Sequence, residues 1–513
     1  MAGSATGGRT RLPAAASPGR LAAASAVAAA VLMLAACATP PAAPDSALRI
    51  ATQAQPAFLN AGDRAGAVDA RWWQRYGDPQ LDALVAAALD ANPDVRIALT
   101  RVVQARAGVD AASARLLPTV NAVAVRSAAE TGYDAAVRQR LPDTDVRRAG
   151  ADVSWEIDLF GAARAARDAA AQDALAADDA RRGAQLAVIA ETARQYFILR
   201  GAQQRLAIVQ SLVQSQQQTL RLTELRRSAG EASEFDVDRA GAALAATRAA
   251  EPPLRTLVQV TEYRLATLAG RAPGAWSAAL GVRTDAPMQQ PSPIDVAAGQ
   301  PADLLQRRPD LMAAEAQWRA ATFRRSEAQA NRFPRLVLSA LFGRQWTALN
   351  ALDLGATRFA NVGATFALPL FAGGRIQAGI DAADAREREA LAAYERSLLQ
   401  ALEDVESALV ALRNERARGD DLEQSVAARE RALQRARSLY RAGQADLLVV
   451  LDVERGLLVA QIDRATHRTD LLLANVQLFR ALGGGWQAAE PAIAGTSAAT
   501  HLQTAGAAAP ERR

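Results

Sequence analysis

Two histidines, His467 and His501, and a single cysteine, Cys37, are all that this 513-residue chain offers of the side chains that most often bind metals. No Cys/His cluster, glycine-rich phosphate loop or nucleophile motif surrounds them, so the usual signatures of catalysis and of a bound cofactor are missing. The acids stand mostly beside arginines on helical stretches, the pattern of i,i+4 surface pairs. One spacing stands apart, in DVSWEIDLFG at residues 152–161. There Asp152, Ser154, Glu156 and Asp158 alternate with Val153, Trp155, Ile157 and Leu159. Period-two alternation marks a strand lying between two environments. A soluble sheet carries that pattern, and so does a membrane barrel with lipid outside and water inside.

Cys37 has a chemistry of its own. Residues 21–36 form a continuously apolar stretch behind Arg9, Arg11 and Arg20. The stretch is short against the roughly 20 residues of a spanning helix. It ends in Leu34-Ala35-Ala36-Cys37. A basic segment, an apolar segment and a small-residue cleavage site make residues 1–36 a secretory signal. The Leu-Ala-Ala-Cys word resembles the bacterial lipobox, which implies cleavage before Cys37 and lipid on its thiol and amine. The next residue is Ala38 rather than Asp, which by analogy with bacterial lipoproteins favours the outer membrane. A lone thiol excludes any disulfide framework.

The formal charge of +5 falls to about +2 without the three arginines of the signal, and every basic residue is an arginine. Nucleic-acid binding needs clustered positive charge, and none is visible, so no nucleic-acid partner is expected.

The chain is written twice. Asn92-Pro93-Asp94 returns as Arg308-Pro309-Asp310, and Pro118 and Pro334 each follow 25 residues after Pro93 and Pro309. DLFG from Asp158 matches PLFAGG from Pro369, SAGEASEFDV from Ser228 matches RAGQADLLVV from Arg441, and ATLAG ending at Gly270 matches RALGG ending at Gly484. The offsets lie between 211 and 216 residues.

Each repeat predicts the same elements. Pro93 and Pro309 suit the first position of a helix. Helices of some 24 residues run to Pro118 and Pro334, followed by strand runs TVNAVAV and RLVLSALF and returning strands ADVSWEIDLF and NVGATFALPLF. Two strands per repeat make four per chain. Next come helices from Gly161 to Arg227 and from Gly374 to about Tyr440, some 67 residues each. At helical rise that is roughly 100 Å. Leu391, Leu398, Val405, Leu412, Val426, Leu433 and Tyr440 share one heptad register, with Gly419 at the missing step. Leu199, Leu206, Val213 and Leu220 hold the matching register in the first repeat. Sustained heptads predict coiled-coil packing. A second helix of about 37 residues returns after each turn.

The expected organisation is a signal at 1–36, a lipidated leader at 37–70, a first repeat at 71–270, a Pro/Gly-rich linker at 271–300, a second repeat at 301–486 and an aperiodic tail at 487–513. The fold class is mainly α with a small β part.

Four strands cannot close a barrel, and an open sheet edge is not tolerated in lipid. Three copies would supply twelve strands. The repeat, the strand pairs and the long helices together resemble the TolC-like outer membrane factors, and most closely the OprM-like and NodT lipoprotein branch. The words that carry the resemblance are WWQRYGDPQLDALV (Trp72 to Val85), LFG (Leu159 to Gly161), PADLLQRRPDL (Pro301 to Leu311), PLFAGGR (Pro369 to Arg375) and ALGGGW (Ala481 to Trp486). The resemblance spans about residues 70–487.

What the resemblance implies is a homotrimer with a twelve-stranded barrel in outer-membrane lipid and an α-helical tunnel across the periplasm. Its implied partners are a periplasmic membrane-fusion adaptor and an inner-membrane RND-type pump, and its cargo drugs or other small molecules. Apart from lipid on Cys37 no cofactor is implied. Val153, Trp155, Ile157 and Leu159 would face lipid, with Asp152, Ser154, Glu156 and Asp158 in the pore. Carried over by position, the periplasmic constriction falls on Leu448 and Asp452, at i and i+4 on one helical face. Three copies would make an apolar ring beside an acidic ring, and an acidic ring in a narrow constriction attracts cations. TolC itself uses two acids three residues apart, where this chain has Val449 first. Asp236, Arg239 and Tyr440 are the candidates for polar links that hold the closed end. Arg308-Pro309-Asp310 is expected to set a turn and a helix start, with Asp310 favourable beside the helix N-terminus.

Two other readings use the same features. A type I protein secretion channel would share the tunnel. A lipid-anchored periplasmic coiled-coil scaffold would share the helices, but it would have no use for two amphipathic strand pairs.

Overall fold

The computed structural model describes residues 58–60, 69–130, 132, 134–138, 143–281, 293–296, 298–349 and 352–489. Cys37, the signal segment, nearly all of the leader and the tail beyond residue 489 lie outside the described residues. The chain forms two compact units. One holds Arg115–Ala165 with Ser326–Ile380, the other the remaining helices.

The first unit is a four-stranded antiparallel sheet in the order β1-β2-β3-β4. Its strands are β1 (Thr119–Ala129), β2 (Thr144–Ile157), β3 (Arg335–Leu349) and β4 (Leu352–Ala367). Each repeat contributes one hairpin, and β2 pairs with β3 to join them. Because directly opposed residues share a face, the register sorts the side chains. One face carries rungs Ile157–Leu336–Phe366, Trp155–Leu338–Ala364, Val120–Val153–Ala340–Val362 and Ala122–Ala151–Phe342–Ala360, all apolar. The other face carries Thr119–Ser154–Ser339 and Asn121–Asp152–Leu341–Asn361, with Glu156 opposite Val337.

The apolar face is also an exposed one. Val362 is 86% exposed and Val120 66%, and Phe342, Phe366, Trp155 and Trp346 are exposed beside them. From Ile157 to Ala151 the apolar face spans six residues, or about 20 Å at strand rise, most of the roughly 25 Å band of a membrane barrel. Trp155 lies at its helix-proximal end and Trp346 beyond its hairpin end. This is the position of the aromatic girdles that flank such bands.

Strand β2 stops at Ile157, so Asp158 and Leu159 are not strand residues as the alternation predicts. Asp158 instead accepts the backbone N–H of Ala163 (3.2 Å) and Arg164 (2.9 Å) and pairs with the Arg164 guanidinium. It satisfies donors that a helix start leaves without intrahelical partners. The local need of the helix outweighs the alternation, and Asp158 is removed from the strand face.

The second unit is helical: α1 (Pro79–Ala91), α2 (Pro93–Ala114), α3 (Ala162–Ser228, beginning in the sheet unit), α4 (Glu234–Ala249), α5 (Glu251–Leu268), α6 (Pro309–Ala330, ending in the sheet unit), α7 (Arg375–Arg441, beginning in the sheet unit) and α8 (Leu447–Ala481). Both α3 and α7 have 67 residues. They end alike, with Gly230 and Gly443 at positive φ and the N–H of Glu231 and Gln444 returning to the carbonyls of Arg226 and Leu439. A left-handed glycine after a helix, with this six-residue back-bond, is the Schellman stop.

The return helix is continuous only in the second repeat, where α8 runs 35 residues. In the first repeat it breaks at Ala250 into α4 and α5, contrary to the single helix expected there. Pro252 and Pro253 follow the break. They lack the N–H groups that a continuing helix donates, and their rings clash with the preceding turn, so a new helix starts just ahead of them.

The main core gathers around Trp72, Tyr76, Leu84, Ile189, Phe197 and Leu265. Trp72 is fully buried, stacks on Phe479 at 4.8 Å and donates its indole N–H to the Gly484 carbonyl. In α7 the heptad residues Leu398, Val405, Leu412, Val426 and Leu433 are buried, as coiled-coil seam positions are. At the missing step His467 of α8 lies against Gly419, so close that a Cβ there would meet Nε2 at 2.9 Å. The buried imidazole contacts Glu415 through Nδ1 at 2.8 Å.

The duplication is also physical. Gly270 (φ 66°) and Gly483 (φ 73°) cap the two return helices, and each presses on a carbonyl just ahead of a helix-starting proline. A Cβ on Gly270 would stand 2.4 Å from the Ala91 carbonyl oxygen, and one on Gly483 2.6 Å from that of Arg307. Next to these contacts Asn92 donates to the Leu268 carbonyl (2.9 Å) and Arg308 to that of Ala481 (3.1 Å). Arg308 also binds Asp310 and Asp404, each with an oxygen within 3.0 Å.

Candidate functional site

The residues singled out for a gate lie where the hairpin helices turn. Asp446 precedes α8, whose first turns carry Leu448 and Asp452. Arg239 of α4, Leu448, Asp452 and Arg455 line one groove of about 480 Å³, with Leu212 and Gln216 of α3 in its wall. Asp452 pairs with Arg455 at 2.8 Å, both side chains largely in water. Such a pair contributes at most about 1 kcal/mol and leaves both groups free to rearrange. Leu448 is half exposed on the same face. The arrangement places an apolar side chain, a carboxylate and two guanidinium groups along one opening.

Asp236 and Tyr440 do not join that groove. Asp236 closes a capping box with Ser233 at the start of α4, accepting the Ser233 N–H (3.1 Å) and hydroxyl (2.7 Å). Those donors hold its carboxyl below the usual carboxylate range, with Arg239 adding a smaller pull. The sign follows: the cap stabilises α4 above the ordinary carboxylate pKa and is lost as pH falls through the depressed one. Protection against hydrogen exchange at the first turn of α4, taken relative to the intrinsic rate at each pH, is therefore expected to fall as pH drops through that lowered value. In Asp236→Asn this pH step should vanish; an identical profile in wild type and variant would refute the cap's role. Tyr440 lies beneath the Arg226 guanidinium, 4.7 Å from its ring centre, and Arg239 lies over Phe235 at 5.3 Å.

A polar link between the repeats does exist, at residues that the heptad pattern hides. Arg437 of α7 donates at 2.6 Å to Glu454 of α8 and at 2.6 Å to the Ser215 hydroxyl of α3. Glu454 is buried and occupies the inward series Leu447, Val450, Glu454, Leu457. An acid at an apolar register position is the signal that identifies it. Its second carboxylate oxygen is buried without a hydrogen-bond partner.

In the sheet, Asp152, Ser154 and Glu156 share the polar face in β2. Glu156 is 3.9 Å from Arg335, and Arg148 on the same face bonds Gln345 at 3.1 Å and covers Phe359. Among the described residues no group of three or more His, Cys, Asp or Glu is arranged to hold a metal. No described helix is long and apolar enough to cross a membrane.

A four-stranded sheet with an exposed apolar face, fed by duplicated 67-residue helices, defines one protomer of a TolC-like channel. The family described as Outer membrane efflux protein matches residues 84–271 and 301–484, and the chain belongs to it. It is an outer-membrane channel component of RND-type tripartite efflux systems. The chain is similar to the pyoverdine export outer membrane protein OpmQ of Pseudomonas aeruginosa, with 33% identity over 88% of this chain and 95% of OpmQ. Outer membrane protein OprJ of the same species is 33% identical over 83% of this chain and 89% of its own. Among solved structures, the outer-membrane channel OprN superposes with a TM-score of 0.74 and 33% identity, covering 88% of this chain and 98% of OprN.

Proposed function

We propose that three copies assemble through the free edges of β1 and β4, closing a twelve-stranded barrel in the outer membrane. The observation that carries this is the apolar face of the sheet, exposed over about 20 Å of strand rise, with tryptophans at its limits. A lone four-stranded sheet would leave two rows of unpaired backbone groups in lipid, and closure removes both. The polar face with Asp152, Ser154 and Glu156 then lines the water-filled interior. Cys37 carries the lipid that anchors the mature chain. The helices cross the periplasm to a membrane-fusion adaptor and an inner-membrane pump. Drugs or other small molecules pass passively, and the pump supplies the energy and selects the cargo.

In this assembly Leu448 and Asp452 form the periplasmic constriction, and Arg239 in the same groove is the polar partner available to Asp452. In planar bilayers Leu448→Ala is expected to raise conductance, and Asp452→Ala to lower cation preference. Unchanged traces in both variants would return these residues to packing. The assembly itself is tested by light scattering of the mature protein with Cys37→Ala. A detergent-dependent trimer is expected; a monomer soluble without detergent would sink the barrel and favour a lipid-anchored scaffold.

A further inference from the structure

The apolar face of the sheet ends in arginine. Beyond the Phe342 rung, Arg344 of β3 stands directly opposite Arg358 of β4, and one rung further Arg126 of β1 stands opposite Arg147 of β2, beside Trp346. All four lie on the face that carries Val120, Val153 and Val362, at the hairpin end of the strands. Like charges directly opposed across a strand pair repel, and a sheet carries such pairs at a cost. Among the described residues, the carboxylates that pair with these arginines are few. Asp145 is shared between Arg126 (3.0 Å) and Arg147 (3.5 Å), one carboxylate for two guanidinium groups. Asp353 is turned to its own backbone, accepting the Gly355 N–H at 2.8 Å. Arg344 and Arg358 are exposed and have no ion pair among the described residues. A cleft of about 330 Å³ opens at this level, with Arg126, Arg147 and Trp346 in its wall.

A pair of unpaired arginines at the edge of an apolar band needs an anion that sits at the boundary of hydrocarbon and water. Guanidinium groups match phosphate oxygens two at a time, with a planar fork that an ammonium lacks. The indole of Trp346 suits the same interfacial depth. We propose that this arginine belt is a binding site for the phosphate groups of phosphorylated lipid in the leaflet at the hairpin end of the barrel. The proposal rests on the barrel reading above, which puts this face in lipid and its hairpin end outward. One lipid headgroup phosphate bridges Arg344 and Arg358, and the surplus charge of Arg126 and Arg147 extends the site around the rim.

The test uses the purified full-length protein in detergent, incubated with diphosphorylated lipid A or with the same lipid stripped of its phosphates. Bound lipid is counted by native mass spectrometry. The expected result is about tenfold stronger retention of the phosphorylated form, a single charge-assisted contact being worth that factor. In Arg344→Gln with Arg358→Gln the preference is lost. Should that variant fail to assemble, Arg344→Lys with Arg358→Lys keeps the charge without the fork and is expected to lower retention. Asp145→Asn, which releases two guanidinium groups, is expected to raise it. Equal retention of both lipids by wild type would overturn the site, as would undiminished preference in the glutamine or lysine variants. Displacement by inorganic phosphate at equal concentration would also overturn it, marking a general anion site. Insertion into vesicles without phosphate preference refutes the belt alone, whereas failure to associate with any vesicle refutes the barrel as well.

Discussion

Gly483→Ala is expected to cost the folded protein at least about 2 kcal/mol, the left-handed backbone and the steric contact each contributing. The left-handed φ of 73° is strained for any residue with a Cβ. The new Cβ would also fall 2.6 Å from the carbonyl oxygen of Arg307, with the Arg308 Cα 3.1 Å away. Backbone atoms cannot rotate aside as a flexible side chain can, so α8 and the segment ahead of α6 must separate. Separation would also break the Arg308 bond to the Ala481 carbonyl. Gly270→Ala in the first repeat should behave alike, since its Cβ would meet the Ala91 carbonyl. Gly230→Ala, at φ 79° with nothing nearby, is the control and should cost only the backbone share, about 1 kcal/mol. Thermal midpoints of the detergent-solubilised proteins separate the cases. Equal midpoints for Gly483→Ala and Gly230→Ala would show that the close approach carries no weight.

Arg437→Ala is the second large effect. It leaves the buried Glu454 with only the Ser215 hydroxyl, 3.5 Å away, and removes the bond that ties α7 to α3. Breaking one side of a buried ion pair costs about 3–5 kcal/mol; because Arg437 is partly open to water, the lower end is expected. Replacing both partners tells the electrostatic account from a packing one. Arg437→Leu with Glu454→Leu removes the orphaned charge and should recover most of the loss, as apolar replacement of buried pairs does. Urea denaturation of the three proteins reads the difference. A single variant as stable as wild type, or a double variant no better than the single, would exclude the proposed role.

How far these features were legible varies with the range of the interaction behind them. The 67-residue helices are local facts. Prolines and glycines mark their ends, heptads run through them, and Schellman stops follow Ser228 and Arg441. The strands were visible through period two, but their ends were not. At Ile157 the alternation continues while the helix that follows claims Asp158. The break at Ala250 was legible in principle from Pro252 and Pro253; the pattern of the matching α8 conceals it. Leu448, Asp452 and Arg239 reach one groove from two helices. Asp236 and Tyr440 are taken by nearer partners, Ser233 and Arg226, which positional matching does not see. Glu454 and the belt at Arg344 and Arg358 depend on contacts between distant segments. Only register and packing place them.

The outer strands β1 and β4 each keep one edge without a neighbour in the chain. In the proposed assembly those edges are completed by other copies, so no chain can finish its own barrel and every chain can spoil two others. A proline in β4 at a position whose N–H points away from β3 removes a ladder donor at the seam between copies. Co-expressed in equal amount with the intact protein, such a variant would leave only about one trimer in eight free of it, as random drawing of three subunits in a cyclic assembly requires. Loss of export would then be genetically dominant, even though the damaged chain folds its own helices normally.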